Sequence, residues 1–172
     1  MGSGTVEIRK ALPNEMEFIE KQRLEAYEEY SDVLPEAHWD ALKNELSSRP
    51  ANTGGEEVYV ARIDGRIAGS VVLYPANTKA YEAFGEKTEH PEIRQLAVGK
   101  EHRRKAVGKS LLQFCLDAEK EKGTRVIGLH TGEFMTKACS LYESIGFVRN
   151  PAEDMEPLDD GIIVLGYKKE LN

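Results

Sequence analysis

The residues best suited to chemistry lie in one stretch, Gln95-Leu96-Ala97-Val98-Gly99-Lys100-Glu101-His102-Arg103-Arg104-Lys105-Ala106-Val107-Gly108-Lys109-Ser110-Leu111-Leu112. An apolar strand pattern runs into a turn of small and basic residues, and helical spacing begins directly after it. Backbone N–H groups in the first turn of a helix have no partner within the helix, and the helix dipole is positive there. Such a turn can cradle an anion. Lys100, Arg103, Arg104, Lys105 and Lys109 crowd it in a chain whose formal net charge is -7. The crowding favours a pyrophosphate or a nucleotide 3′-phosphate. An ordinary helix with a solvated basic face would give the same pattern. A nucleotide-binding P-loop is ranked low, because Gly108-Lys109-Ser110 lacks the earlier glycine of Gly-x-x-x-x-Gly-Lys-Ser/Thr.

Ionisable groups near strand ends are further candidates. Glu92 stands just before the strand expected from Ile93 to Val98, and His130 closes the strand expected from Arg125. A histidine there can act as a base near neutral pH, or can be partly buried against backbone. Glu133 follows as a weaker choice.

The elements that must position these groups can be read from periodicity. Val6–Lys10 alternates as a short strand, and Pro13-Asn14 opens a helix on which Phe18, Ile19, Leu24 and Tyr27 can share a stripe. A second helix is expected from Pro35 to Leu46 with Trp39, Leu42 and Leu46 on one face, and Ser47–Gly55 reads as a loop. Asp64-Gly65 between two apolar runs is a strong hairpin signal, since both residues tolerate positive φ. Pro75–Pro91 loses periodicity and reads as a long loop. Val107 to Leu116 recurs at helical spacing up to Gly123, Thr136–Ser144 forms a helix stopped by Gly146, and Phe147-Val148 and Gly161–Lys169 read as closing strands. Hairpins followed by strand–helix–strand–helix–strand imply an α/β (α+β) domain with a mixed, partly antiparallel sheet.

Composition sets the class. The chain has 172 residues, 40% hydrophobic and 31% charged, as expected of one globular domain over 1–172. The acidic balance argues against a general nucleic-acid partner. Apolar runs are too short to span a bilayer, and the first residues lack the basic and apolar regions of a signal peptide, so no membrane partner and a cytoplasmic location are expected. The 2 cysteines, Cys115 and Cys139, form no CxxC spacing; they are read as buried apolar residues, and no metal is expected.

The stretch around Arg103-x-x-Ala106-x-Gly108 resembles the CoA-binding motif of GCN5-related N-acetyltransferases, Arg/Gln-x-x-Gly-x-Gly/Ala between a strand and a helix, with Ala106 in place of the first glycine. Alanine serves there only if its φ stays negative. Ala138-Cys139-Ser140-Leu141-Tyr142-Glu143-Ser144-Ile145-Gly146-Phe147 is similar to the same family's Ala-x-x-Leu-Tyr-x-x-x-Gly-Phe helix. Met135 stands where many members carry an asparagine. The two motifs come in the family's order with a strand between them. The likeness covers nearly the whole chain and is thin before Val58.

This resemblance implies a single domain with a central, mixed, mostly antiparallel sheet, helices on both faces, and a strand–turn–helix pyrophosphate cradle. It also implies acetyl-CoA as cosubstrate and an amine as acceptor. By the same likeness, the pantetheine arm pairs with Leu96, Ala97 and Val98. The thioester carbonyl meets backbone N–H near Val98, where the strand splays from its neighbour. The pyrophosphate rests on N–H groups of Arg103, Arg104, Lys105, Ala106, Val107, Gly108, Lys109 and Ser110. Tyr142 becomes the acid that protonates the departing thiolate; a phenol packed in the core is the alternative. Glu92 corresponds to the base of the family's histone-type branch; an exposed carboxylate at a strand end is its alternative.

The acceptor is expected to be a small-molecule or peptide amine. The Asn150–Asp160 loop, with Glu153, Asp154, Glu156, Asp159 and Asp160, would attract a cationic one, or is simply solvated. Homodimers are common in the family. A non-catalytic CoA-binding sensor or regulatory module, and a transferase for a different acyl-CoA, remain as alternatives.

Overall fold

In the computed structural model residues 5–47, 55–76, 79–81, 84–87 and 89–171 are described, with backbone alone at 79–81 and 84–87. The elements in chain order are β1 (Glu7–Lys10), α1 (Met16–Tyr27), α2 (Glu36–Ser47), β2 (Glu57–Ile63), β3 (Arg66–Tyr74), β4 (Lys79–Tyr81), β5 (Phe84–Lys87), β6 (Glu92–Val98), α3 (Val107–Glu121), β7 (Val126–Gly132), α4 (Thr136–Ile145), β8 (Val148–Arg149) and β9 (Val164–Glu170), with short 3-10 turns at Pro13–Glu15, Glu28–Tyr30, Lys100–His102 and Pro151–Glu153. The chain forms two compact units, Met1–Leu73 with Gln95–Cys115, and Tyr74–Arg94 with Leu116–Asn172. β6 and α3 each pass from one unit into the other.

The first unit carries strands in the order β1-β2-β3-β6. β1 pairs antiparallel with β2, and β2 with β3. The expected hairpin turn is present: Asp64 and Gly65 take φ of 52° and 79°, the left-handed pair that a two-residue hairpin needs. Every β3 residue from Ala68 to Leu73 is buried, so this strand reads as a continuous buried run rather than an alternation. Ile19, Val60, Val71, Leu111 and Leu112 anchor the core. The stripe expected on α1 is only partly the buried one. Phe18 is 51% exposed, whereas Gln22 and Arg23 are inside beside Ile19, Ala26 and Tyr27. Arg23 donates to the Leu46 carbonyl at 2.9 Å, so hydrogen bonding takes the place of apolarity on that face. The loop expected over Ser47–Gly55 lies mostly outside the described residues.

The second unit carries the order β6-β7-β9-β8. β7 runs parallel to β6 and antiparallel to β9, and β8 is antiparallel to β9. The sheet is therefore mixed and mostly antiparallel, as expected. Ile127, Leu129, Phe147 and Tyr167 are its most buried apolar residues. The stretch Pro75–Pro91 is not a plain loop: β4 and β5 form a two-stranded ribbon within it. α4 ends at Gly146 with φ 108°, a left-handed cap that glycine adopts without strain.

Candidate active site

In the first unit, β6 turns into α3 through a backbone bent at defined points. Parallel pairing with β7 is recorded for Glu92 and Ile93, and Gln95 then takes φ 57°. This puts a left-handed residue three positions ahead of Val98, near which the likeness implied a splay. The Gln95 amide donates to the Glu45 carbonyl at 3.0 Å, and the Tyr27 hydroxyl donates to the Leu96 carbonyl at 2.9 Å. β3 presses close here: a Cβ on Gly69 would stand 2.7 Å from the Ala97 carbonyl oxygen. Ala97 is buried, while Leu96 and Val98 are half-buried.

Gly99 N–H donates to the Ala68 carbonyl at 2.8 Å and fixes the start of the turn. Arg104 and Ala106 then take φ of 67° and 60°. The condition that Ala106 keep a negative φ is not met. The turn adopts the left-handed geometry that glycine favours, with an alanine methyl in it, at a cost of about 1–2 kcal/mol. Ser110 N–H donates to the Ala106 carbonyl at 3.0 Å. It is committed within the helix, so the outward donors are those of Val107, Gly108 and Lys109, ahead of the first helical bond. The Val107 side chain is buried, whereas Arg104, Lys105, Ala106 and Lys109 are exposed. Arg103 turns away from a purely phosphate role: it lies 2.7 Å from Glu29 Oε2 and donates to the Ala26 carbonyl at 3.2 Å.

In the second unit, Tyr142 sits on α4 with 6% exposure. Its ring meets Phe147 edge-on at 6.2 Å between centroids and Tyr167 at 6.3 Å. The Tyr167 hydroxyl donates to Glu143 at 2.7 Å, and burial with that carboxylate holds the Tyr167 phenol above its ordinary pKa.

Glu92 is the first residue of β6, and at that strand end it is fully buried rather than exposed. His130 Nδ1 lies 2.5 Å from Glu92 Oε1, and Arg94 donates to Glu92 Oε2 at 2.9 Å. His130 lies inside its strand rather than at the end, with its Nε2 3.1 Å from the Glu153 carbonyl oxygen. Burial pushes the Glu92 pKa up, but the His130 hydrogen bond and charge, with Arg94, outweigh it and leave it below its ordinary value. Burial pushes His130 down, and the Glu92 hydrogen bond and charge, with Glu153, outweigh it and leave it raised. The two candidate bases are thus one ion pair. With both Glu92 oxygens bonded and the carboxylate fully buried, Glu92 does not reach an amine directly. Glu133 is exposed, and its Oε1 accepts from Ile163 N–H at 3.4 Å.

The pair extends to residues that sequence reasoning did not place. Glu153 Oε1 lies 3.1 Å from His90 Nε2, and the Arg94 guanidinium stacks over Tyr74 at 4.3 Å. The Glu92-x-Arg94 spacing could have signalled their contact, since residues two apart on a strand share a face. Nothing in the sequence links His90 to Glu153. The acidic loop is largely internally bonded. Asp154 chelates Arg149 at 2.9 and 2.7 Å, Glu156 accepts from Gly161 N–H at 2.7 Å, and Asp160 accepts from Ile162 N–H at 3.0 Å.

The chain belongs to the acetyltransferase (GNAT) family, whose model matches residues 16–147 and so spans both units. A probable N-acetyltransferase, camello, of Xenopus tropicalis is 26% identical over 100 residues, which is 58% of this chain and 42% of that protein. The chain therefore spans less than half the length of the curated relatives it matches. Among solved structures, a histone acetyltransferase HPA2 and related acetyltransferase from Corynebacterium glutamicum superposes with TM-score 0.70 at 21% identity, covering 100% of this chain and 98% of that one. The PaiA N-acetyltransferase of Thermoplasma acidophilum, in complex with coenzyme A, gives 0.68 at 20% identity, covering 96% and 99%. These likenesses support the fold. Among the described residues, no helix is long and apolar enough to cross a membrane.

Proposed function

We propose that the chain transfers an acetyl group from acetyl-CoA to a primary amine by direct attack in a ternary complex. The observation that carries this reading is the turn into α3, where consecutive N–H groups of Val107, Gly108 and Lys109 precede the first helical bond beside exposed Arg104, Lys105 and Lys109. That arrangement suits the pyrophosphate of CoA. Coenzyme A bound to a structural neighbour supports the same ligand. Half-buried Leu96 and Val98, with buried Ala97 between them, make up the strand segment assigned to the pantetheine arm.

The amine nitrogen attacks the thioester carbonyl carbon, the C–S bond breaks, and the thiolate takes a proton from the Tyr142 hydroxyl. A phenol suits that step because its pKa lies above that of a thiol. The proton lost by the amine must leave by another route. The Glu92–His130 pair is assigned to it through a water chain, because both Glu92 oxygens and both His130 ring nitrogens are already engaged. Backbone N–H near Val98 stabilises the oxyanion. The acceptor is a small-molecule or peptide amine.

The test is thiol release from acetyl-CoA measured against a panel of amines, weighted to cations. Amine-dependent release supports transfer. Tight acetyl-CoA binding without release from any amine or acyl-CoA favours the non-catalytic CoA-binding module, for which the departures at Ala106 and Met135 speak.

A further inference from the structure

We propose that Glu92, His130 and Glu153 form a binding site for a divalent transition-metal ion of the zinc type. The three residues come from β6, β7 and the short turn Pro151–Glu153, all in the second unit. Each offers one ligand atom, and these atoms lie within 4.8 Å of one another.

The surroundings hold the two carboxylates against the two nitrogens of one imidazole, so Glu153 must swing toward Nδ1 to share an ion with Glu92. Each carboxylate is held at one oxygen from outside the cluster: Arg94 binds Glu92 Oε2 at 2.9 Å, and His90 Nε2 lies 3.1 Å from Glu153 Oε1. The other oxygens face the imidazole. Glu92 Oε1 meets His130 Nδ1, and Glu153 Oε2 lies 3.8 Å from His130 Nε2. Glu153 Oε2 is buried and has no hydrogen-bond partner, an arrangement that costs free energy unless something fills it. His130 Nε2 is 3.1 Å from the Glu153 carbonyl oxygen. An N–H donated there fixes the tautomer and leaves Nδ1 to coordinate, as a backbone carbonyl commonly does for a metal-bound histidine.

The donor set selects the ion. One imidazole with two carboxylates suits zinc and its neighbours, whereas calcium and magnesium favour all-oxygen sites. Three protein ligands leave a position for water or a polar ligand. At a tetrahedral ion, bonds of about 2.0–2.2 Å place two ligands roughly 3.4 Å apart. His130 Nδ1 and Glu92 Oε1, now 2.5 Å apart, must lose the shared proton and separate by about 0.9 Å. The ion would occupy the same imidazole nitrogen that serves Glu92 in proton transfer, so the two roles exclude each other on one molecule. Cysteine spacing, on which the absence of a metal was expected, has no bearing on this oxygen- and nitrogen-based set.

Cobalt(II) titration of the full chain, followed by visible d–d absorption and by zinc competition, tests the site without reference to catalysis. The expected result is a saturable absorption of a low-coordinate ion, displaced by zinc. Its affinity should fall at least about tenfold in both His130→Gln and Glu153→Gln and remain in Glu143→Gln, a carboxylate outside the cluster. Glu153→Gln alters a partly exposed turn, so it reads the site even where loss of His130 impairs folding. No saturable absorption in the wild type, or absorption unchanged in Glu153→Gln, would overturn the proposal. Either outcome leaves acetyl-CoA binding and transfer to be judged on their own.

Discussion

His130 faces Glu92 across 2.5 Å inside the second unit, and neither side chain has appreciable exposure, 6% and 0%. The relationship joins two residues 38 positions apart in the chain, and Arg94 and the Glu153 carbonyl close it on either side. A carboxylate buried this way is stable only while its partners remain.

Removing one partner should therefore be costly. His130→Leu should destabilise the fold by about 3–5 kcal/mol, because Glu92 Oε1 is left buried without its partner and Arg94 bonds only Oε2. Denaturant unfolding of the two proteins measures it. A change below about 0.5 kcal/mol, the range of surface substitutions, would mean that the pair contributes little.

Tyr142→Phe should lower kcat with little change in acetyl-CoA affinity if the phenol protonates the thiolate. Its ring contacts with Phe147 and Tyr167 are retained by phenylalanine. Steady-state kinetics together with direct cofactor binding separate the outcomes. Equal loss in both would mark Tyr142 as a packing residue.

Ala106→Gly should relieve the left-handed strain at φ 60°. The gain is about 1–2 kcal/mol, less about 0.4–1 kcal/mol for the greater freedom of glycine in the unfolded chain. Thermal unfolding should shift upward and acetyl-CoA affinity should hold or rise. A lower Tm would show that the alanine methyl makes contacts worth more than the strain.

Much of the fold was legible because periodicity and turn chemistry agree locally. Asp64-Gly65 defines its hairpin through two residues that accept positive φ, and Val107, Leu111, Leu112, Cys115 and Leu116 mark the inner face of α3 at helical spacing. The strand, turn and helix assigned to the proposed cradle were legible for the same reason, being adjacent in sequence. The polar cluster was not. Its members depend on which strands are neighbours and on where a turn folds back, and neither Glu153 nor His90 carries a local signal. Buried Gln22 and Arg23 broke the α1 stripe, each donating to a backbone carbonyl, a contact that an apolar pattern does not register.

Acid should weaken the pair that Arg9 of β1 makes with Glu15, at 2.9 and 2.8 Å, at a defined point. The Arg9 hydrogen bond, aided by Leu12 N–H and by the charges of Arg9 and Arg62, outweighs burial and holds Glu15 at about 2, below its ordinary 4.5. A depressed carboxylate stabilises the fold fully above its ordinary pKa, and the contribution is lost as pH falls through the folded value. The stability difference between wild type and Glu15→Gln should be constant above about pH 5 and shrink steadily below 4.5 toward 2. A difference independent of pH across that window would contradict the pairing.

Calorimetric titration with acetyl-CoA, run beside ATP and repeated on Gly108→Asp, bears most directly on the central claim. Gly108 lies in the first turn of α3, where a carboxylate adds bulk and negative charge at the anion cradle. The account predicts saturable acetyl-CoA binding in the micromolar range, no heat from ATP, and weakening by about tenfold or more in the variant. Absent acetyl-CoA binding, or binding that Gly108→Asp leaves unchanged, would contradict the cradle and remove the basis for acetyl transfer.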